Sequence, residues 1–132
     1  MSHYHAVVWL DHAEAKIFEF STDAVEKKRI QSHHAAHLHH KAGAMGAGRA
    51  PVDAAYLQRV AEGLSDAGEV LLTGPGNAKL EFVRYLHRHA PQLEKRIVGV
   101  ESADHPTDGQ LVAHARKYFH AKDHMLPQSA GG

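Results

Sequence analysis

A short apolar run that passes through two glycines into a helical pattern governs how this chain can fold. The run EVLLT at 69–73 has no polar alternation, which is typical of a strand buried on both faces. Beyond the Gly-Pro-Gly turn at 74–76, an apolar stripe predicts a helix that ends near Pro91, and RIVGV at 96–100 predicts another strand. A strand, a helix and a strand in this order predict a parallel pair and therefore an α/β domain.

The amino-terminal part of the chain has the character of antiparallel strands. The apolar segment 5–10 and the alternating segment 15–20 are separated by a turn at Asp11 and His12, so they predict a hairpin. The segment 25–30, VEKKRI, carries so many charges that we interpret it as an edge strand.

The predicted order of elements is β-β-β-α-β-α-β-α, a three-strand antiparallel meander followed by parallel strands with helices. Pro51 opens the first helix, and Thr107 or Asp108 caps the last one. This layout is a ribonuclease H-like mixed sheet. It predicts a single domain at 1–121, followed by a polar tail at 122–132 where the apolar pattern fades.

Composition narrows the classes of protein. The 132 residues include no cysteine and no apolar stretch near the length of about 20 residues that spans a bilayer, so we expect a cytoplasmic protein without membrane contact. The 15 Lys and Arg residues balance the 15 Asp and Glu residues, so nucleic acid could be contacted only by a local patch. Histidine is frequent, with 14 copies, and five of them lie at 33–40, where charge will rise as the pH falls toward about 6.

The segment 33–50 combines these histidines with three glycines and has no apolar pattern, so it predicts a long flexible loop that is either functional or disordered. As an RNA-contacting arm it would use cations for phosphates, histidines for bases or phosphates, and glycines for adaptability. The residues concerned are His37, His39, His40, Lys41, Gly43, Gly46, Gly48 and Arg49. As a solvated insertion it would have no ligand. As a metal site it would use His33 and His37 at i, i+4 spacing, although zinc sites usually need a third ligand.

The residues 71–82, LLTGPGNAKLEF, resemble the middle domain of Pelota and of archaeal and eukaryotic-type peptide-chain release factors. The strand, the Pro-Gly turn and the Lys79-x-x-Phe82 helix start carry the resemblance, and the hairpin with Asp11 at its turn extends it. As topology it spans roughly residues 5–120. The chain is also similar to small stand-alone bacterial relatives labelled translational machinery proteins.

The resemblance implies a translation-associated role without hydrolysis. In release factors the connection that matches 33–50 holds a Gly-Gly-Gln tripeptide, whose glutamine helps to place the hydrolytic water. Here the connection has glycines and the cations Lys41 and Arg49 but no glutamine. Pelota also lacks the tripeptide and works as a ribosome-binding factor.

The implied function is that of a non-enzymatic module that binds the ribosome, ribosomal RNA or the tRNA acceptor end, with stress or starvation as a condition of its action. The alternative is a histidine-rich metal-binding or pH-responsive protein that uses the same segment 33–50.

Two other patterns carry candidate chemistry. The Gly-Pro-Gly-Asn junction could hold an anion at the helix amino terminus with help from Lys79, or it could be only a tight turn. It matches neither a P-loop nor a dinucleotide fingerprint, so we expect no cofactor. A ribonuclease H-like sheet also suggests a nuclease, but the candidate carboxylates are not predicted to converge as two-metal catalysis requires; they are Asp11, Asp53, Glu69 and Asp104.

Overall fold

The computed structural model describes residues 5–21, 24–32 and 53–131, with side chains as far as residue 122. In chain order the elements of this part are β1 (His5–Leu10), β2 (Glu14–Phe20), β3 (Val25–Gln31), α1 (Ala54–Gly63), β4 (Glu69–Gly74), α2 (Ala78–His89), α3 (Pro91–Glu94), β5 (Ile97–Ser102) and α4 (Asp108–Gly131).

The five strands form one mixed sheet in the order β3-β2-β1-β4-β5. The first three strands pair antiparallel, whereas β4 pairs parallel with both β1 and β5. The predicted meander followed by parallel strands is therefore confirmed. The charged strand β3 lies at the edge and is mostly exposed, as expected for a strand whose charges discourage further pairing.

Helices cover both faces of the sheet, so the two central strands are buried on both sides. Alternate side chains of β1 and β4 point to opposite faces. On one face they pack against α1, α2 and α3; we call this the three-helix face, and its buried residues include Val8, Leu72, Tyr56, Phe82 and Leu86. On the other face they pack against α4; we call this the one-helix face, and its buried residues are Val7, Trp9, Phe18, Phe20, Leu71, Leu111, Ala115 and Phe119.

The single tryptophan ties the one-helix face to the connection between β5 and α4. The Trp9 indole is 3% exposed, and its Nε1 donates to the carbonyl oxygens of Ala103 and Asp104 at 3.2 and 3.0 Å. A buried indole N–H needs such a partner. The indole therefore fixes the path of the chain as it enters α4.

Capping residues set where the helices begin. Asp53 Oδ1 accepts from Ala55 N at 3.1 Å at the start of α1. Thr107 and Gln110 form a reciprocal capping box before α4, in which Thr107 Oγ1 accepts from Gln110 N at 3.1 Å and Gln110 Oε1 accepts from Thr107 N at 2.9 Å. The predicted cap at Thr107 is thus present, while the predicted opening at Pro51 lies outside the described residues.

The last helix is longer than the apolar pattern indicates. It continues to Gly131 and so includes most of the segment interpreted as a polar tail at 122–132. Its last buried side chain among those described is Phe119. A helix can continue past the end of its apolar pattern, because backbone hydrogen bonding does not require an apolar face. Across the described ranges, no helix is long and apolar enough to cross a membrane.

Candidate functional site

The carboxyl ends of β1 and β4 lie side by side, because the two strands are parallel neighbours. This edge of an open α/β sheet is the usual place for ligands. Two turns leave it, the one at 11–13 after β1 and the one at 74–77 after β4. We call these two turns the strand-end surface.

The turn at 11–13 is held by its own aspartate. Asp11 Oδ1 accepts from Ala13 N at 2.8 Å and from Glu14 N at 2.9 Å, which is an Asx-type turn. Asp11 Oδ1 therefore stabilises the hairpin turn through backbone donors.

The turn at 74–77 depends on glycine at its first position. Gly74 has a φ of 148°, and a Cβ there would overlap the carbonyl oxygen of Leu10. Gly76 has a φ of 63°, in the left-handed region that favours glycine. The close approach of Gly74 to Leu10 brings the two turns of the strand-end surface together.

Lys79, which the sequence suggested as a phosphate contact, is part of this turn. Lys79 is only 6% exposed, and its Nζ donates to the carbonyl oxygen of Gly76 at 2.7 Å. Its ammonium thereby closes the first turn of α2, a position from which it braces the Gly-Pro-Gly backbone.

Both attachments of the segment 33–52 lie beside the strand-end surface. On the β3 side, Ser32 N donates to Ala13 O at 2.8 Å, and Arg59 Nη2 of α1 donates to Gln31 O at 2.8 Å. On the α1 side, the chain re-enters the described part at Asp53, the residue that caps the helix.

Tyr56 fastens α1 to the same place. Its ring is fully buried, and its hydroxyl donates to Asp11 O at 3.0 Å. Burial raises the pKa of Tyr56, and the nearby carboxylates of Asp11 and Glu14 raise it further, so the phenol stays protonated and keeps this hydrogen bond. The two attachments of 33–52 are thus held by the buried, uncharged hydroxyl of Tyr56 and by the guanidinium of Arg59.

The other residues predicted to contact RNA or metal lie outside the described residues. They are His33, His37, His39, His40, Lys41, Gly43, Gly46, Gly48 and Arg49. The described residues contain no group of three or more His, Asp or Glu side chains that could hold a metal ion. Glu69 begins β4 at the opposite end of the sheet from Asp11, where it lies 3.4 Å from His5 Nε2 and 3.6 Å from Lys122 Nζ.

Sequence reasoning missed a groove between α1 and α2 on the three-helix face. Its α2 wall carries Arg84 and Arg88, and Tyr85 and His89 line it one position further along the helix. In the sequence, Arg84 and Arg88 are four residues apart, as are Tyr85 and His89, so each pair lies on one side of α2. Local patterns could not show that α1 forms the opposite wall.

The sequence and the structure were compared with known proteins. No protein-family model matches the sequence, and no curated protein matches it either. Among solved structures, the Thermoplasma acidophilum Pelota protein is similar with a TM-score of 0.55 and 21% identity, over 83% of this chain and 30% of that one. The archaeal translation termination factor aRF1 is similar with a TM-score of 0.56 and 16% identity, over 97% of this chain and 41% of that one.

Dom34 of S. cerevisiae, a translation termination-like factor involved in RNA quality control pathways and interacting with Hbs1, is similar with a TM-score of 0.54 and 8% identity, over 95% of this chain and 38% of that one. At these identities the likeness concerns the fold. The chain has a Pelota- and release-factor-like mixed α/β fold and spans between 30% and 41% of the length of these three proteins.

Proposed function

We propose that this protein is a non-enzymatic, translation-associated module that corresponds to the middle domain of Pelota and the release factors. It acts in the cytoplasm and binds the ribosome, through ribosomal RNA or the tRNA acceptor end. The contact is made by the segment 33–50, with Lys41 and Arg49 on phosphates and with His37, His39 and His40 on bases or phosphates.

The observation that carries the proposal is the way in which the segment is attached. Both of its attachments are braced at the carboxyl end of the central strands, by Arg59 on Gln31 and by Tyr56 on Asp11. Both ends of a segment rich in cations, imidazoles and glycine are thereby held at one defined edge of the sheet. Binding residues are commonly carried in this way, on connections held by a rigid scaffold.

The similarity to translation factors supports the biological setting, and the composition of 33–50 supports binding over hydrolysis. The segment has no glutamine, so it lacks the side chain by which the Gly-Gly-Gln tripeptide of release factors places water. Lys79 has a supporting role in this proposal, because its ammonium bonds to Gly76 O and holds the strand-end surface in shape.

Ribosome co-sedimentation tests the proposal. The full chain is compared with a variant in which 33–50 is replaced by a Gly-Ser linker of equal length, and with the double variant Lys41→Gln/Arg49→Gln. Lys95→Gln/Lys117→Gln removes two exposed cations elsewhere and is the matched control. We expect recovery with ribosomes to persist with a chelator, to fall as salt rises from about 50 to 200 mM, and to be lost in the linker variant.

Equal recovery of the linker variant and the full chain would place the binding surface elsewhere. Stoichiometric zinc binding by the full chain with no ribosome association would replace the proposal by a metal-binding function. Comparison of growing with starved cells in the same assay tests whether association depends on stress.

A further inference from the structure

The groove between α1 and α2 consists of two adjoining compartments. They have volumes of about 280 and 440 Å³ and share Tyr85 and His89. Together they are of the size that accommodates a nucleotide-sized ligand. The first compartment begins at Ala54, so the groove adjoins the α1 attachment of the segment 33–52.

An aromatic pair lies where the compartments meet. The Tyr85 and His89 rings are one turn apart on α2, with centroids 4.5 Å apart and planes at 55°. Leu57 of α1 lines the first compartment opposite them and is 5% exposed. The junction therefore offers π-faces beside an apolar wall, which is the arrangement on which unpaired bases stack.

Two guanidinium groups lie on the outer wall of the first compartment. Arg84 and Arg88 are exposed and one turn apart on α2. Within the described part of the chain neither makes an ion pair with a carboxylate or a hydrogen bond. By contrast, Arg96 in the second compartment donates to the carbonyl oxygens of Ser65 and Ala67, both at 3.1 Å.

The two carboxylates that line the groove, those of Glu81 and Glu62, each interact with another side chain. Glu81 Oε2 is 3.6 Å from His12 Nε2, and Glu62 Oε2 accepts from Gln58 Nε2 at 3.1 Å. Among the described residues, Arg84 and Arg88 are therefore not paired with these carboxylates. A pair of guanidinium groups beside aromatic rings matches the alternating phosphates and bases of a nucleic-acid strand.

We propose that this groove is a second RNA-binding surface, which takes a single-stranded RNA segment with a base against Tyr85 and His89 and adjacent phosphates on Arg84 and Arg88. The inference rests on the proposed RNA-binding function and adds to it a site independent of 33–50. An acidic protein segment is disfavoured because it would leave the aromatic faces without a stacking partner.

Fluorescence anisotropy with a labelled oligouridine of about 12 nucleotides tests the inference on the full chain. The variants are Arg84→Gln/Arg88→Gln, which removes the phosphate contacts, and Tyr85→Leu, which keeps apolar packing while removing the stacking face. Lys95→Gln/Lys117→Gln is the charge-matched control. We expect about tenfold weaker binding for each groove variant, unchanged binding for the control, and a salt slope lower by about 1.4 for the arginine variant.

The linker variant of 33–50 separates this inference from the proposed function. If it binds the oligonucleotide as the full chain does while the arginine variant does not, the groove stands, and the role of 33–50 is decided separately by ribosome co-sedimentation. If the arginine variant binds like its control, or the unaltered chain does not bind, the inference is overturned. Binding of a polyglutamate peptide that depends on Arg84 and Arg88, without RNA binding, would overturn it in favour of an acidic protein partner.

Discussion

The two faces of the sheet are covered by different means. On the three-helix face, aromatic and aliphatic side chains from three helices close over the strands, and Tyr56, Phe82 and Leu86 are fully buried. On the one-helix face, α4 packs on the sheet, and cationic side chains from β2, β3 and α4 lie over three of the rings. Lys16 lies 5.6 Å from the centroid of Trp9, Lys27 5.8 Å from Phe18 and Arg116 5.1 Å from Phe20.

Among the described residues, the two faces are therefore buried by different kinds of side chain. The alkyl stems of Lys and Arg cover apolar surface while their charged ends remain in water. The three-helix face should therefore depend on volume and packing, and the one-helix face also on charge. Four sets of variants test this contrast.

Truncating a ring should cost most on the three-helix face. Phe82→Ala leaves a cavity between α2 and the sheet and should lower the free energy of unfolding by about 4 kcal/mol, measured by urea denaturation. Phe18→Ala should cost about 2 to 3 kcal/mol, because the Lys27 stem can collapse into the space. Leu80→Ala, at a position 44% exposed on the same helix as Phe82, is the control and should change stability by less than about 0.5 kcal/mol. Equal costs for the two phenylalanines would remove the contrast between the faces.

The three-helix face contains a buried carboxylate, that of Glu19, which is 1% exposed. Glu19 Oε1 lies 3.1 Å from Lys28 Nζ, and Lys28 also donates to Gly63 O at 2.9 Å. Lys28→Met leaves a buried charge without its partner and should destabilise by about 2.5 kcal/mol, less than for a fully buried pair because Lys28 is partly exposed. The double variant Glu19→Gln/Lys28→Met should recover part of this loss in the same denaturation assay; a further loss would contradict the argument.

A Cβ at position 99 should disturb the packing of α4 on the sheet. Gly99 faces the Tyr118 ring, and an added methyl group would overlap the Tyr118 hydroxyl, which donates to Val98 O at 3.0 Å. Gly99→Ala should cost about 1.5 kcal/mol in thermal or urea unfolding. Gly109→Ala, in the first turn of α4 with no atom within 4 Å of the new methyl group, should instead stabilise by about 0.5 kcal/mol. Stabilisation by both variants would show that Tyr118 moves without cost.

The smallest effect concerns the charges on the one-helix face. A hydrogen bond from Lys27 to Asp108 at 2.6 Å, and the charges of Lys27 and Lys16, hold the pKa of the Asp108 carboxyl below its ordinary value. Asp108→Asn should cost about 0.5 kcal/mol near neutral pH, since solvent screens so exposed a pair. Because the pKa is lowered in the folded state, this stability is present above the unfolded pKa and is lost as the pH falls through the folded pKa. The difference between the two proteins should therefore vanish in acid and shrink in high salt; a difference that grew in acid would contradict the assignment.

The fold could be predicted from sequence because its signals are local and agree with each other. The buried run at 69–73, the hairpin around Asp11 and the charged edge strand each predict one element, and the parallel order follows from the alternation of strands and helices. The length of α4 could not be predicted from its apolar pattern, because the pattern fades near Lys122 while the helix continues to Gly131.

The candidate site was predicted less completely. Spacing placed Lys79 beside the Gly-Pro-Gly turn, but whether its ammonium reaches a ligand or the carbonyl oxygen of Gly76 depends on backbone geometry that no motif encodes. Arg84 and Arg88 became candidates only once α1 was seen to form the opposite wall. Contacts between elements distant in sequence therefore decided which charged residues could form a site.

The seating of Trp9 gives the protein a built-in optical probe. It is the only tryptophan of the chain, and its ring lies against the start of α4, 5.2 Å from the ring of His105. Its emission will therefore follow the detachment of α4 from the sheet, whereas circular dichroism follows the helices of both faces. If the fluorescence and the circular dichroism change at different urea concentrations, α4 on the one-helix face unfolds as a separate unit.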